Sequence, residues 1–439
     1  MNYRILERSV PGWTIRGQVR HTCTDPSESR PHVDHMRLDF IAPSTLPNEI
    51  LYLLLIFGLM VVPRVLQRLR LPAPLSSFGL GMLAVIALGN SDYGDALPLL
   101  ATLGISSLFL FAGLEIETAD FAHGKWPLIG HLLVRALVLI ALVFLGGRWL
   151  GYSWQVSALL ALALLTPSTG FILDTLPNLD LDEQERYWVR IKAVSGELFA
   201  LAVLFVVLQS DSVHTLVWSS AVLLAMIVGL PALYLLLGRS VIPYARGSEF
   251  SLLVMFGFVA AFATYKLGVY YLVGAFLAGF MARLLRGRLP GLASDDNLHA
   301  IQKFASFFVP FYFFYKGMSV PDGALSFDAL KIGVLLSVLM LPLRLALVWT
   351  QRRFIRGESA KGSLRVAAAL TPTLIFTLVL ASILRERLGI SDALYGGLLI
   401  YAGITTLLPS MVLSKPVEFD LSPQPAIPQP AQGNGPPRA

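Results

Sequence analysis

Charge is scarce in this 439-residue chain: Asp, Glu, Lys and Arg together make up 14% of it, against about 25% in soluble domains. That scarcity excludes an ordinary water-soluble fold, because a chain this size cannot bury most of its helices on every side. Cysteine is nearly absent. Cys23 is the only one, which excludes a disulfide framework and a thiolate metal centre. The first 46 residues are polar and hold no apolar core segment, so no signal peptide is expected. No nucleotide-binding or nucleophile motif occurs, and neither an enzyme activity nor a cofactor is expected.

Hydrophobic residues make up 55% of the chain and mean hydropathy is +0.67. Apolar runs of helix length recur, and crossing a bilayer takes about 20 residues. Thirteen membrane segments are expected, over 48–66, 73–90, 97–117, 127–150, 154–177, 188–209, 213–237, 249–265, 267–285, 303–320, 329–351, 362–384 and 391–413. The fold class is therefore an all-α polytopic membrane protein in the lipid bilayer. The net charge of +6 does not point to nucleic acid, because most Lys and Arg fall in short loops, where they set orientation. Loops after odd-numbered segments carry Arg64, Arg68, Arg70, Arg239, Arg246, Arg283, Arg286, Arg288, Arg352, Arg353, Arg356 and Lys361. Loops after even-numbered segments carry few, such as Arg148, Arg385 and Arg387. This bias puts the N-terminus outside and the C-terminus in the cytoplasm, in a cell inner (plasma) membrane.

The tail 1–46 fits poorly with that orientation, since it holds six arginines. A translation start at Met36 would leave only Arg37. A peptide from residues 1–35 in purified protein would sink that idea. The Pro-rich tail 414–439 is expected to be disordered and is too short for a nucleotide-sensing domain.

Two stretches about 204 to 209 residues apart match in order. Phe109-Leu110-Phe111-Ala112-Gly113-Leu114-Glu115-Ile116 matches Phe313-Phe314-Tyr315-Lys316-Gly317-Met318-Ser319-Val320. Leu133-Val134-Arg135-Ala136-Leu137 matches Pro342-Leu343-Arg344-Leu345-Ala346. Leu165-Thr166-Pro167-Ser168 matches Leu370-Thr371-Pro372-Thr373. The offset is seven segments, an odd number, so the halves have opposite topology. Repeat one covers about 47–209, a linking helix 213–237, and repeat two about 249–413. Inverted repeats are a construction of secondary transporters.

Segments 5 and 12 each carry Thr-Pro near the middle. Proline removes a backbone donor and clashes with the carbonyl four residues back. One Thr-Pro is more often a simple kink. Two at repeat-related positions point to crossed discontinuous helices at a binding site, with Thr166, Ser168, Thr371 and Thr373 flanking Pro167 and Pro372. Unwound carbonyls and half-helix C-terminal ends ligate cations, whereas N-terminal ends favour anions. The break alone does not choose between them.

Segment 6 carries Ser195-Gly196-Glu197, and Gly196 is a third candidate helix break beside Pro167 and Pro372. Glu197 lies about 14 Å along the helix from Trp188, and Arg344 about 12 Å from Arg352, at ~1.5 Å per residue. The two sit at similar depth, and pairing lowers the cost of burying both. The bland reading is a static salt bridge that locks packing. The sharper one is a carboxylate alternating between proton, cation and Arg344, the fixed counter-charge. Arg135, the repeat mate of Arg344, is a second partner for Glu197 or a structural brace. Lys316 is expected to reach water or Asp322. For His131 a packing role outweighs a proton relay. The run Asp180-Leu181-Asp182-Glu183-Gln184-Glu185 reads as a solvated loop.

Over about 47–413 the chain resembles the monovalent cation:proton antiporters, especially the second family of cation/proton antiporters. The resemblance lies in Arg68-Leu69-Arg70-Leu71-Pro72-Ala73-Pro74-Leu75 and Phe111-Ala112-Gly113-Leu114-Glu115. It is most specific in Leu272-Val273-Gly274-Ala275-Phe276-Leu277-Ala278-Gly279 and Phe311-Tyr312-Phe313-Phe314-Tyr315-Lys316-Gly317-Met318. It implies thirteen helices, a dimerisation domain and hence a homodimer. It also implies a core with two crossed unwound helices and an elevator-like exchange of protons for Na⁺ or K⁺. That family's ion-binding Asp follows Asn or Gln, and here the matching pair is Gly196-Glu197. Its deep basic residue falls on Arg344. Its late Arg-Gly-Glu-Phe segment is replaced around Arg365 and Thr371. The expectation is a secondary transporter exchanging a monovalent cation for protons, with Glu197 carrying either and Thr166, Ser168, Ser195, Thr371 and Thr373 around it. The rivals are an anion or organic-ion transporter using Arg135 and Arg344, and a non-transporting membrane sensor or scaffold on the same fold.

Overall fold

A computed structural model describes residues 48–88, 96–116, 125–210, 212–242, 244–245, 247–268, 270–355 and 357–413. The tails 1–46 and 414–439, with Cys23 and Met36, lie outside the described residues. Among the described residues the regular structure is helical: α1 (Asn48–Gln67), α2 (Ala73–Leu88), α3 (Ala96–Leu114), α4 (Lys125–Leu150), α5 (Trp154–Leu165), α6 (Thr169–Thr175), α7 (Glu183–Gln209), α8 (Val213–Ser240), α9 (Glu249–Lys266), α10 (Tyr271–Leu284), α11 (Asp295–Met318), α12 (Phe327–Thr350), α13 (Ala360–Ala369), α14 (Leu374–Leu388) and α15 (Asp392–Val412).

Each of the thirteen expected segments coincides with one helix or one broken helix. Among the described residues, eight spans are long and apolar enough to cross a membrane, and the bent pair α13–α14 makes a ninth. The expected starts err where a helix opens on polar residues. Segment 6 begins at Glu183, because Asp182 and Glu185 form a capping box across the first turn. Segment 10 begins at Asp295, capped by the Ser294 hydroxyl. An apolar-run reading passes over both signals.

Lipid-facing surfaces are plain. On α4, Leu133, Leu137, Ile140 and Phe144 are exposed on one face, and on α12 so are Val334, Leu335, Val338 and Leu339. Such rows of large apolar side chains suit hydrocarbon, not water.

The helices form two groups. One is a panel in which α3 packs on α10 and α11, α2 on α11, and α9 on α10. Its contacts follow the repeat. A Cβ on Gly113 of α3 would collide with the Phe276 carbonyl oxygen of α10, and one on Gly317 of α11 with the Phe78 carbonyl oxygen of α2. The third helix of each half thus lies backbone to backbone on the second helix of the other half. The other group is the core: α4, α5, α6, α7 and α12 to α15.

Inside the core, α5 stops at Leu165 and α6 starts at Thr169; α13 stops at Ala369 and α14 starts at Leu374. The α13–α14 axes meet at 47°, whereas α5, α6 and the turn after them continue as one span, Trp154–Asn178. Proline alone does not explain these breaks. Pro63, Pro231, Pro310, Pro342 and Pro409 all lie within unbroken helices. Pro167 and Pro372 differ in that the freed backbone groups find partners on the other broken segment, as described next.

Candidate functional site

The two breaks are tied directly to each other. Ser168 N–H donates to the Pro372 carbonyl at 2.8 Å. The Ser168 hydroxyl accepts the N–H groups of Ile375 (3.0 Å) and Phe376 (3.3 Å), capping the first turn of α14. Thr377 Oγ1 donates back to the Ala163 carbonyl in α5 at 2.7 Å. Four half-helix ends therefore meet here, each with orphan backbone groups to satisfy.

The two C-terminal ends are held by arginines from repeat-related helices. Arg135 on α4 donates to the Leu165 carbonyl at 2.8 Å. Arg344 on α12 donates to the carbonyls of Leu370 (2.8 Å) and Thr371 (2.7 Å). Cations favour helix C-terminal ends for the same reason in both halves. Tyr401 on α15 bridges the two, donating to the Leu164 carbonyl at 2.6 Å and accepting from Arg344 at 3.3 Å.

Glu197 takes the remaining kind of end. Its Oε2 accepts the Thr169 N–H at 2.9 Å, at the first turn of α6. A carboxylate suits that position, where the helix dipole is positive. The expected Glu197–Arg344 ion pair is not formed. Arg344 is engaged by the α13 carbonyls, and the charge beside Glu197 is Arg135. Arg135 thus fills both roles that the sequence leaves open: brace of α5 and neighbour of Glu197. It lies against Gly196, where a Cβ would collide with Arg135 Nη1 and stand 3.5 Å from Pro167 Cδ. Gly196 therefore matters for space in an unbroken helix, not as a helix break.

The hydroxyls fall into two sets. Ser195 donates to Lys192 O one turn back at 3.3 Å. Thr371 Oγ1 is shared between Ala368 O (2.7 Å) and Thr405 O (3.1 Å), and Thr373 Oγ1 bonds Thr405 Oγ1 at 3.0 Å. Thr166 is fully buried, and its hydroxyl has no protein partner. Thr406 on α15 is the same. So is Thr169 Oγ1 at the start of α6, and because buried polar groups are nearly always bonded, these hydroxyls are open to a ligand.

Several contributors are not evident from the sequence motifs: the Thr169 N–H, Tyr401, Thr405 and Thr406. One signal would have found two of them. The 209-residue offset that relates Arg135 to Arg344, applied to Gly196-Glu197, lands on Thr405-Thr406. The second half carries threonines where the first carries the carboxylate, so the site is asymmetric in charge. Among the described residues only two carboxylate residues are buried, Glu185 and Glu197. Glu185 pairs with Arg365 at 3.3 Å, so the acidic run 180–185 is not wholly a solvated loop. Lys316 reaches Glu386 at 3.8 Å, not Asp322. His131 Nδ1 meets Gln351 Oε1 at 2.9 Å.

A groove of about 260 Å³ runs between the panel and the core. Arg64, Gln302 and Ser306 line it on the panel side, and Gly170, Asp174 and Ile375 on the core side. It reaches the first turns of α6 and α14, the elements whose N–H groups Glu197 and Ser168 hold.

The chain is 26% identical over 280 residues to a glutathione-regulated potassium-efflux system protein, KefC, of Salmonella typhi, covering 60% of this chain and 43% of that one. It is 26% identical over 286 residues to the Na(+)/H(+) antiporter NhaS5 of Synechocystis, covering 61% of this chain and 39% of that one. The match thus spans about two fifths of the length of these curated relatives. The sodium proton antiporter MjNhaP1 of Methanocaldococcus jannaschii, solved at pH 8, superposes with a TM-score of 0.58 at 14% identity, covering 84% of this chain and 96% of that one. At that identity the superposition establishes the fold. The profile of the sodium/hydrogen exchanger transmembrane family matches residues 52–418, which is most of the chain, and the chain belongs to that family.

Proposed function

We propose that this protein exchanges a monovalent cation, Na⁺ or K⁺, for protons across the plasma membrane, with Glu197 binding one or the other. The observation that carries the reading is the place of Glu197: a buried carboxylate held by the Thr169 N–H of a half-helix, at the crossing of two broken helices. The names of the curated relatives and of the solved neighbour support it. Burial disfavours the charged carboxylate, whereas the N–H donor and the neighbouring arginine favour it. A proton and a cation are two ways to settle that competition.

The half-helix C-terminal carbonyls are occupied by Arg135 and Arg344. The cation is therefore assigned to the other side of the crossing, with Glu197 and the unpartnered Thr166 hydroxyl as ligands. Ser168, Ser195, Thr371 and Thr373 hold the backbone around it through the bonds described above. Arg135 and Arg344 stay charged throughout and keep the broken ends in register. Exchange then follows movement of the core along the panel, past the groove lined by Arg64 and Asp174, in a homodimer whose C-terminal end is cytoplasmic.

The test is cation-dependent dissipation of a pH gradient in proteoliposomes. The wild type is expected to dissipate it with Na⁺ or K⁺, and Glu197→Gln to fall to the level of empty vesicles. Full activity of Glu197→Gln would overturn the assignment. With one exchanging carboxylate, the exchange is expected to be one-for-one and electroneutral; strong acceleration by an imposed membrane potential would refute that.

A further inference from the structure

The panel and the core stand apart along the groove and are tied together beyond it. Gln302 and Ser306 of α11 line the groove, and so does Ile375 in the first turn of α14. Both helices run on from there. Lys316 of α11 lies about 20 Å beyond Gln302, and Glu386 of α14 about 16 Å beyond Ile375, at ~1.5 Å per residue. Where these two helices end, Lys316 Nζ stands 3.8 Å from the Glu386 carboxylate. The next residue, Arg387, donates to the Gly268 carbonyl at 2.8 Å. Gln209, at the end of α7, donates to the Leu267 carbonyl at 3.2 Å. Three core residues thus hold the panel in one small region. Two of them do so through consecutive carbonyls just after α9, where orphan acceptors attract donors and cations.

These ties suit surfaces that separate. Lys316 is buried on the panel side, at 9% exposure, and a buried ammonium calls for a counter-charge. The Glu386 side chain that supplies it is 57% exposed, and a pair with one exposed member contributes only modestly. Such a contact breaks and re-forms readily, unlike the backbone-to-backbone packing of α3 on α10. Tyr312 lies one turn before Lys316 on the same face of α11. It is buried, at 3% exposure, and its hydroxyl has no partner among the described residues. Glu386 acts electrostatically on Tyr312 and Tyr270 of the panel and on Tyr395 of the core. The carboxylate therefore sits at the seam between the two groups, with Tyr312 behind it.

We propose that the contacts Lys316–Glu386, Arg387–Gly268 and Gln209–Leu267 form a gate that closes the exchange path at the end opposite the groove, with Tyr312 as the floor beneath it. The gate rests on the exchange reading, in which the core moves along the panel. That movement draws Gln209, Glu386 and Arg387 away from α9 and α11. It breaks the three ties together and opens Tyr312 to solution. While the ties hold, the path to Glu197 is open from the groove and shut from the other end. Lys316 is a positioning residue here: it holds the core against the panel through Glu386 and is not a ligand of the transported ion.

The experiment is labelling of Tyr312→Cys by a membrane-impermeant maleimide, in proteoliposomes of the full-length chain carrying Cys23→Ser. Labelling is expected to be slow. Adding Lys316→Gln is expected to accelerate it about two- to fivefold, the ratio for losing one half-exposed ion pair, and adding Arg387→Gln as well to accelerate it further. Lys316→Arg keeps the charge and is expected to keep labelling slow. Val366→Cys, buried in α13 on the other half of that broken span, is the control, and Lys316→Gln is expected to leave its labelling unchanged. Unchanged Tyr312→Cys labelling when Lys316→Gln and Arg387→Gln are combined overturns the gate. So does acceleration by Lys316→Arg as large as by Lys316→Gln, or equal acceleration at Val366→Cys, which would mean general loosening of the fold. Labelling needs no transport, so the two readings fail separately. Absent exchange with the expected labelling pattern would sink the exchange reading, and normal exchange with unaffected labelling would sink the gate.

Discussion

At the scale of single residues, two positions test the site without touching a charge. Gly196 leaves room for Arg135, and a methyl group there collides with the guanidinium. Overpacking a tight core costs about 1–3 kcal/mol, and here it also displaces the brace of α5. Gly196→Ala is expected to lower the melting temperature and the exchange rate together; unchanged values of both would show that Arg135 is free to move aside. Thr166 tests the opposite case. Its hydroxyl is buried and has no protein partner to lose, and an unpaired buried hydroxyl costs about 1–3 kcal/mol, so Thr166→Val is expected to leave thermal stability unchanged or raised. As a cation ligand it should raise the KM for the cation severalfold. An unchanged KM would remove Thr166 from the cation site.

At the scale of elements, the two Thr-Pro breaks are stabilised by each other. Ser168 supplies the cap for α14 that a helix ordinarily takes from the residue just before it. Ser168→Ala removes an acceptor from two buried N–H groups. The expected loss is about 1–3 kcal/mol, read as reduced thermal stability in detergent, with exchange weakened as well. Ser168→Thr keeps the oxygen and should restore most of both. A Ser168→Ala variant as stable as wild type would mean that the α14 turn finds another cap. The five prolines inside unbroken helices show why the breaks were only partly legible. The residue that starts a break is local, and its partners on the other broken segment are more than 200 positions away.

At the scale of the whole molecule, the panel and the core meet along a groove and at the contact of α3 with α6. Leu108 of α3 approaches Gly170 of α6 closely enough that a Cβ on Gly170 would stand 3.0 Å from its Cδ1. If exchange requires the core to slide along the panel, a bond here arrests it. A double variant, Leu108→Cys with Gly170→Cys, in a chain whose only other cysteine is Cys23, is expected to lose exchange when oxidised and regain it when reduced. Undiminished exchange after complete crosslinking would exclude relative movement at this contact.

The sequence by itself determined the membrane class, the thirteen helical segments, the internal repeat and the positions of the two breaks. These depend on hydropathy, spacing and proline, all of which act locally along the chain. Family membership was legible in glycine motifs because the backbone contacts they permit recur at matching places in both halves. Only the tertiary structure decided who pairs with whom. Depth along a helix put Glu197 and Arg344 level, but depth says nothing of direction around the helix. Packing turned Arg344 to the end of α13, Arg135 to the end of α5 and Glu197 to the start of α6. A half-helix end attracts the opposite charge more effectively than a distant side chain does, because its orphan groups are fixed and already desolvated. Lys192, His131 and Gln351 likewise read as unrelated residues until the fold brings them together.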